Sequence, residues 1–295
     1  MFPEWKTFID HSYPYLTANG FAVQCEYIWN YDGFKINPNF KFKNWAYVKT
    51  DFIHQFFKTV KIKEPLVLLT GNSDIPIDDS FLKYLNRSDI IIWFGQNIKI
   101  NHHKLKAIPI GIANAGYPFG DIKILNKIQK QNNQKQKLFY CNFTVDTNKQ
   151  ERQYCLEQTN LSLVEHKDGG WDGVYNIHGI DRKVPNTFEG YLSDLSESFF
   201  SICPNGNGID SHRVWESLYL KTIPIITKNL LAKEHTDIPM IVLDDWSNFK
   251  KIKFDKILYT KTWNDFDVND LTMPKYIQRI HEKIAHQYND HKKLL

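Results

Sequence analysis

Arg213 and Glu216 lie three residues apart in "CPNGNGIDSHRVWESLYLKTIPII" (203–226), beyond an apolar run and a loop with two glycines. Residues at that spacing share a helix face, so a guanidinium and a carboxylate point the same way from the start of a predicted helix. A helix start offers unpaired N–H groups and a partial positive charge, which suits a diphosphate. A cation is unfavourable there unless an anion sits nearby, so Arg213 implies an anionic ligand. A carboxylate at Glu216 can accept two hydrogen bonds from a ribose diol while Arg213 neutralises phosphate. Gly206 and Gly208 allow positive φ and close approach of a ligand to the backbone. Asp210 or Ser211 is the expected cap of a helix that begins near His212. Glu216 is not the capping-box partner of Ser211, whose third residue onward is Val214. The rival reading is a surface salt bridge, but the glycine loop before the pair and "IPIIT" after it favour a ligand.

The elements that must position this pair are those of an α/β chain. "PLVLLTG" (65–71), "DIIIWFG" (89–95) and "KAIPIGI" (106–112) are continuous apolar runs that contain or end in glycine. They read as strands buried on both faces of a parallel sheet. "DDSFLKYLNRS" between the first two is a short helix with Asp78 or Asp79 at its start. A second series follows in "KLFYCNF" (137–143), "LSLVEH" (161–166), "SFFSICP" (198–204), "TIPIIT" (222–227) and "PMIVLDD" (239–245). "NKQERQYCLEQ" and "FEGYLSDLSES" have helical patterns, and "MPKYIQRIHEKIAHQYNDHKK" reads as an amphipathic helix. The polar tract "NKIQKQNNQKQK" (126–137) follows the turn "GYPFGD" and is the expected boundary, the alternative being a solvated helix within one domain. The expected organisation is 1–130 and 131–270 as two Rossmann-like domains, with 271–295 a helix that packs back on the first.

Length and composition bound the function. At 295 residues the chain exceeds a typical single domain, and 42% hydrophobic with 24% charged residues suffices for a real core. The net charge of +4 permits a phosphate-bearing ligand without pointing to nucleic acid. The start, "MFPEWKTFIDHSYPYL", lacks a basic stretch followed by an apolar one, so no signal peptide is expected. No run reaches the roughly 18 apolar residues of a membrane span. Cys25, Cys141, Cys155 and Cys203 contain no CxxC pair and read as free thiols. A cytoplasmic protein, free or peripheral to a membrane surface, is the expectation.

The stretch "FSICPNGNGIDSHRVWESLYLKTIPII" resembles the donor-binding motif of exostosin-type glycosyltransferases of the GT-B class. That pattern runs F-x-x-x-P-x-G, then S-x-R-x-x-E-x-L, then I-P-V/I. Phe200, Pro204, Gly206, Ser211, Arg213, Glu216, Leu218 and Pro224 carry the likeness. It is specific over about thirty residues and architectural elsewhere. The resemblance implies the GT-B fold, two Rossmann-like domains facing a central cleft. It also implies sugar transfer from a nucleoside diphosphate with inversion, and no metal held by a DxD motif. The expected donor contacts are Asn205, Gly206, Gly208, Asp210, Ser211, His212, Arg213 and Glu216. The segment is also similar to that of α1,3-fucosyltransferases, although Pro204 and Asn205 open this loop where that family has Glu and Asn. This loop leaves UDP and GDP open as the donor nucleotide; a UDP-sugar is the favoured expectation and a GDP-sugar the alternative. The alternative from another class is a non-catalytic lectin-like or nucleotide-binding module.

Other candidates stand at strand ends. In "CNFTVDTNKQER", Asn142, Thr144 and Thr147 can reach phosphates, with Arg152 entering the next helix; a capped strand exit is the plain alternative. Asp74, just beyond "LVLLTG", is the expected catalytic base, with Asp32 and Glu26 next. Gln96, Asn97, Asn114 and Asp121 sit in loops suited to a glycan or glycolipid acceptor. "DFD" (265–267) has no preceding strand, and His102 and His103 have no suitably spaced partner, so no metal and no cofactor beyond the nucleotide-sugar co-substrate is expected. No Walker or GxSxG motif occurs.

Overall fold

The computed structural model describes residues 10–30, 33–117, 119–159, 165–166, 175–177, 180–182 and 187–293. The chain divides into two compact units. The first is Met1–Gly116 with Gly208–Asp210 and Asn269–Leu295; the second is Tyr117–Asn207 with Ser211–Val268.

The first unit contains α1 (Ala18–Ala22), β1 (Cys25–Asn30), β2 (Gly33–Ile36), β3 (Phe42–Lys49), α2 (Ile53–Thr59), β4 (Leu66–Gly71), α3 (Leu82–Leu85), β5 (Ile90–Gly95) and β6 (Leu105–Ala107). They form a six-stranded sheet of order β2-β1-β3-β4-β5-β6, parallel except where β2 pairs with β1. β4 is buried along its whole length, as its unbroken apolar run requires. Asp78 accepts from the Ser80 N–H at 3.0 Å and caps the turn that leads into α3. The apolar run at 106–112 is a strand only as far as Ala107. Pro109 cannot donate to a ladder, and Gly111, at φ +69°, brings the backbone so close to Leu16 that a Cβ would meet its carbonyl oxygen at 2.0 Å.

The second unit contains α4 (Ile122–Gln131), β7 (Lys137–Cys141), α5 (Lys149–Gln158), β8 (Glu165–His166), β9 (Tyr175–Ile177), β10 (Ile180–Arg182), α6 (Phe188–Ser196), β11 (Ser198–Ile202), α7 (His212–Tyr219), β12 (Ile223–Thr227), α8 (Leu230–Glu234), β13 (Ile241–Leu243) and α9 (Lys256–Trp263). Its main sheet has five parallel strands in the order β13-β12-β11-β7-β8; β9 and β10 pair separately. The expected strand at 161–166 lies outside the described residues over 161–164. Phe139, Cys141, Phe200, Ile202, Ile223, Ile225, Trp246 and Phe249 share one core under this sheet.

The polar tract at 126–137 is not a linker. Its first half is the exposed face of α4, which buries Leu125 and Ile128 and belongs to the second unit. Gln129 reinforces this by donating to the Tyr219 carbonyl at 3.0 Å. The unit boundary accordingly falls at Gly116/Tyr117 instead of near residue 130. The last helix, α10 (Met273–Lys293), groups with the first unit. It buries Met273, Tyr276 and Ile280, and the Tyr276 ring meets Phe21 edge-on at 5.6 Å. Among the described residues no helix is long and apolar enough to cross a membrane. Both sheets fit a mixed α/β protein, an arrangement compatible with two Rossmann-like units.

Candidate functional site

In the second unit the strand order reverses its direction of growth between β7 and β11, the point where open parallel sheets place ligands outside their carboxyl ends. The chain leaves β11 through Cys203 and Pro204 and enters α7 at His212. Ser211 holds the N-cap position in extended conformation, but its side chain makes no cap hydrogen bond. The start of α7 therefore has its N–H groups uncapped by that side chain.

Beneath this helix start is a buried polar knot. Glu216 is 1% exposed, so it is no surface salt-bridge partner. Its Oε2 accepts from the Tyr191 hydroxyl at 2.5 Å, while its Oε1 has no partner. The Tyr191 and Tyr140 rings lie 5.7 Å apart, and Asn142 donates to the Tyr140 hydroxyl at 2.8 Å. Asn142 Oδ1 and Arg213 Nε are likewise buried without partners. Ser217 fastens the helix below, donating to the Arg213 carbonyl at 2.6 Å and lying 2.7 Å from the Ser201 hydroxyl. Three unsatisfied polar atoms, one from the residue after β7 and two from α7, thus occur beside the carboxyl end of the sheet, each costing about 1–3 kcal/mol unless met.

The charges respond to this burial. Glu216 is pushed up to about 7 by burial, against the Tyr191 hydrogen bond and the Arg213 charge. Burial pulls the Arg213 guanidinium down, but Tyr191, Cys203, Tyr140 and Glu216 more than offset it. Burial also pushes Tyr191 well up, with Glu216 adding to the rise. Arg152 falls to about 10, first through burial and then through repulsion from Arg213. Two guanidiniums within electrostatic range of each other suit an anion.

The loop after β11 is held by α5. Arg152 donates to the carbonyls of Asn205 at 2.9 Å and Thr144 at 2.6 Å; Asn148 donates to Gly206 at 3.1 Å. The Asn205 N–H donates to Glu151 at 3.1 Å, and Trp246 Nε1 reaches the same carboxylate oxygen at 3.3 Å. Arg152 and Thr144 are thus loop fasteners. Neither loop glycine has a positive φ; a Cβ at Gly206 would sit 2.9 Å from Arg152 Nη2, so a side chain there would displace the end of Arg152. Gly208 is needed because a Cβ would sit 2.8 Å from the Asn97 amide. Arg152→Ala strands two carbonyls, and is expected to cost about 1–3 kcal/mol of stability, read as a lowered urea midpoint. An unchanged midpoint refutes the clamp.

Several expected residues are occupied within the first unit. Asn97 Oδ1 accepts from the N–H groups of Ile209 at 2.9 Å and Asp210 at 3.2 Å, and its amide donates to Ser73. The Asp210 carboxylate accepts from the Ile110 N–H at 2.8 Å and so secures a loop of the first unit. Gln96 bridges the Asn72 N–H and the Pro109 carbonyl; Asn114 bridges the Asn19 N–H and the Asn72 side chain. These amides fasten strand-end loops. Asp121 caps α4, accepting from the Lys123 N–H at 2.8 Å. Asp74 stands exposed in the turn after β4. Glu26 accepts from the Asn44 N–H at 2.7 Å, and Asp32 lies outside the described residues. The His212 ring lies 6.5 Å from Phe119, and "DFD" is in the turn after α9.

Sequence reasoning missed Tyr191, Tyr140 and Glu151. Tyr191 is 25 residues before its partner Glu216, and no local spacing announces the pair. No protein-family model matches the chain, and no curated protein matches it.

Proposed function

We propose that the chain is an inverting, metal-independent GT-B glycosyltransferase that moves a sugar from a nucleoside-diphosphate donor, UDP favoured, to a glycan or glycolipid hydroxyl. The observation that carries the reading is the set of unsatisfied buried atoms, Arg213 Nε, Glu216 Oε1 and Asn142 Oδ1, beside a helix start uncapped by Ser211. In this reading the diphosphate lies against the start of α7 and Arg213, and Glu216 takes the ribose diol. The acceptor oxygen attacks the anomeric carbon as its proton passes to Asp74. The bond from that carbon to the diphosphate breaks, with its electron pair leaving on the nucleotide. Charge gained by the leaving group is met by helix N–H groups and Arg213, the task a metal performs elsewhere.

Calorimetry with UDP, GDP, CMP and dTDP tests the donor site. UDP is expected to bind, and Glu216→Gln to weaken it by about 1.5–3 kcal/mol, roughly 10- to 150-fold. Gln is the sharper variant because Ala would leave the Tyr191 hydroxyl unpartnered. Binding of none of the four refutes the reading; a preference for GDP favours a fucosyltransferase-like donor. Slow donor hydrolysis separates an enzyme from a binding module. Activity is expected to survive EDTA; complete loss restored by manganese refutes metal independence and points to "DFD".

A further inference from the structure

We infer that the first unit carries its own binding site for the vicinal hydroxyls of a carbohydrate, at the carboxyl ends of β1 and β3, formed by Asn30, Lys49, Thr50 and Asp51. The inference stands on the geometry of this unit and does not depend on nucleotide binding by the other. The order β2-β1-β3-β4-β5-β6 reverses its growth between β1 and β3, so this is the position where a parallel sheet opens to a ligand. Trp29 pairs with Val48 and Lys49 with Gly71. One step beyond the first pair sets Asn30 beside Lys49 at the sheet's edge, and Thr50 opens the single turn that follows β3.

Four polar residues stand at this strand end, and two of them have a buried oxygen without a partner. Asn30 is 5% exposed with Oδ1 unpartnered; Thr50 is 2% exposed with Oγ1 unpartnered. The Lys49 side chain is 5% exposed and pairs with Asp51, whose side chain is 37% exposed. Against the effect of burial, Ser73, two residues beyond β4, joins Lys49 in holding the Asp51 carboxyl below its usual value. The Lys49 ammonium lies 5.8 Å from the centre of the Phe52 ring. The missing partner can be read from this inventory. Asn30 Oδ1 and Asp51 only accept, Lys49 only donates, and the Thr50 hydroxyl does either. The Lys49–Asp51 pair cancels in charge, so nothing selects an ion. A neutral group that donates and accepts at the same oxygen meets both unpartnered atoms and suits the neutral Lys49–Asp51 pair beside them, and adjacent hydroxyls on a sugar ring supply it twice. Phe52 offers an apolar surface beside them for the ring's C–H face.

The test uses the full chain and saturation-transfer NMR with lactose, maltose and cellobiose as probes. At least one disaccharide is expected to receive saturation. Thr50→Val and Asn30→Leu keep shape while removing the unpartnered atoms, so each is expected to weaken that binding by about tenfold or more with stability unchanged or raised. Glu216→Gln is expected to leave sugar binding unaltered, so failure of the nucleotide reading shows separately in the UDP titration. Saturation of none of the three probes overturns the inference, as does binding untouched in both variants. A Thr50→Val chain that loses stability overturns it too, because the hydroxyl then has a protein or water partner already.

Discussion

Glu216→Gln is expected to flatten the pH dependence of stability between about pH 4.5 and 7, by on the order of 3 kcal/mol. Burial raises the folded carboxyl from 4.5 to about 7. A raised folded value means the unfolded chain loses its proton first. The group's contribution is therefore complete below pH 4.5, where both states hold the proton, and is lost as pH rises through 7. Other groups titrate over the same range, so the quantity to measure is wild type minus variant, from urea unfolding at pH 4.5 and pH 8. That difference should move against the wild type at the higher pH. Equal differences at both pH values would mean that Arg213 keeps Glu216 ionised throughout. The same titration bears on the ligand, because a ribose diol donates to a carboxylate better than to a carboxylic acid. UDP affinity should rise from pH 6 to pH 8 by more in the wild type than in the variant, where only the ionisation of the terminal phosphate is left to raise it.

How much of this was legible in the sequence depends on whether the information is local. β4, β5, β11 and β12 announce themselves because strands covered on both faces need unbroken apolar runs. β1 and β3 do not, since "CEYIWN" and "FKNWAYVK" bury only part of their length and carry polar residues where they are open. The polar tract at 126–137 looks like a linker until Leu125 and Ile128 are seen to be the buried stripe of a helix. Residue type also cannot say whether a polar side chain awaits a ligand or serves the backbone. Gln96, Asn97 and Asn114 sit where a binding loop belongs, yet each spends its amide on neighbouring loops. Arg213 and Glu216 stood out in the sequence because a cation at a helix start is costly alone, and the fold adds that Glu216 is buried. The tyrosine that holds Glu216 comes from another helix, and such a contact is created only by folding.

The largest effect is expected at Asp74. Asp74→Asn should slow sugar transfer by roughly 10²–10⁴-fold, the usual contribution of a positioned base, while UDP affinity stays unchanged. The residue stands exposed in the turn beyond β4, a strand buried along its whole length. Exposure makes the test clean, because Asn at such a place removes the basic oxygen without emptying a core. The cap of the following turn is Asp78, so the variant leaves that cap in place. Two measurements separate the outcomes: turnover at saturating acceptor and UDP binding by calorimetry. A loss of UDP affinity would place Asp74 on the donor. Near-normal turnover would remove it from the chemistry and pass the role to Asp51, the carboxylate at the neighbouring strand end, which Lys49 and Ser73 already hold in place. The expected result is a defect in rate with none in binding.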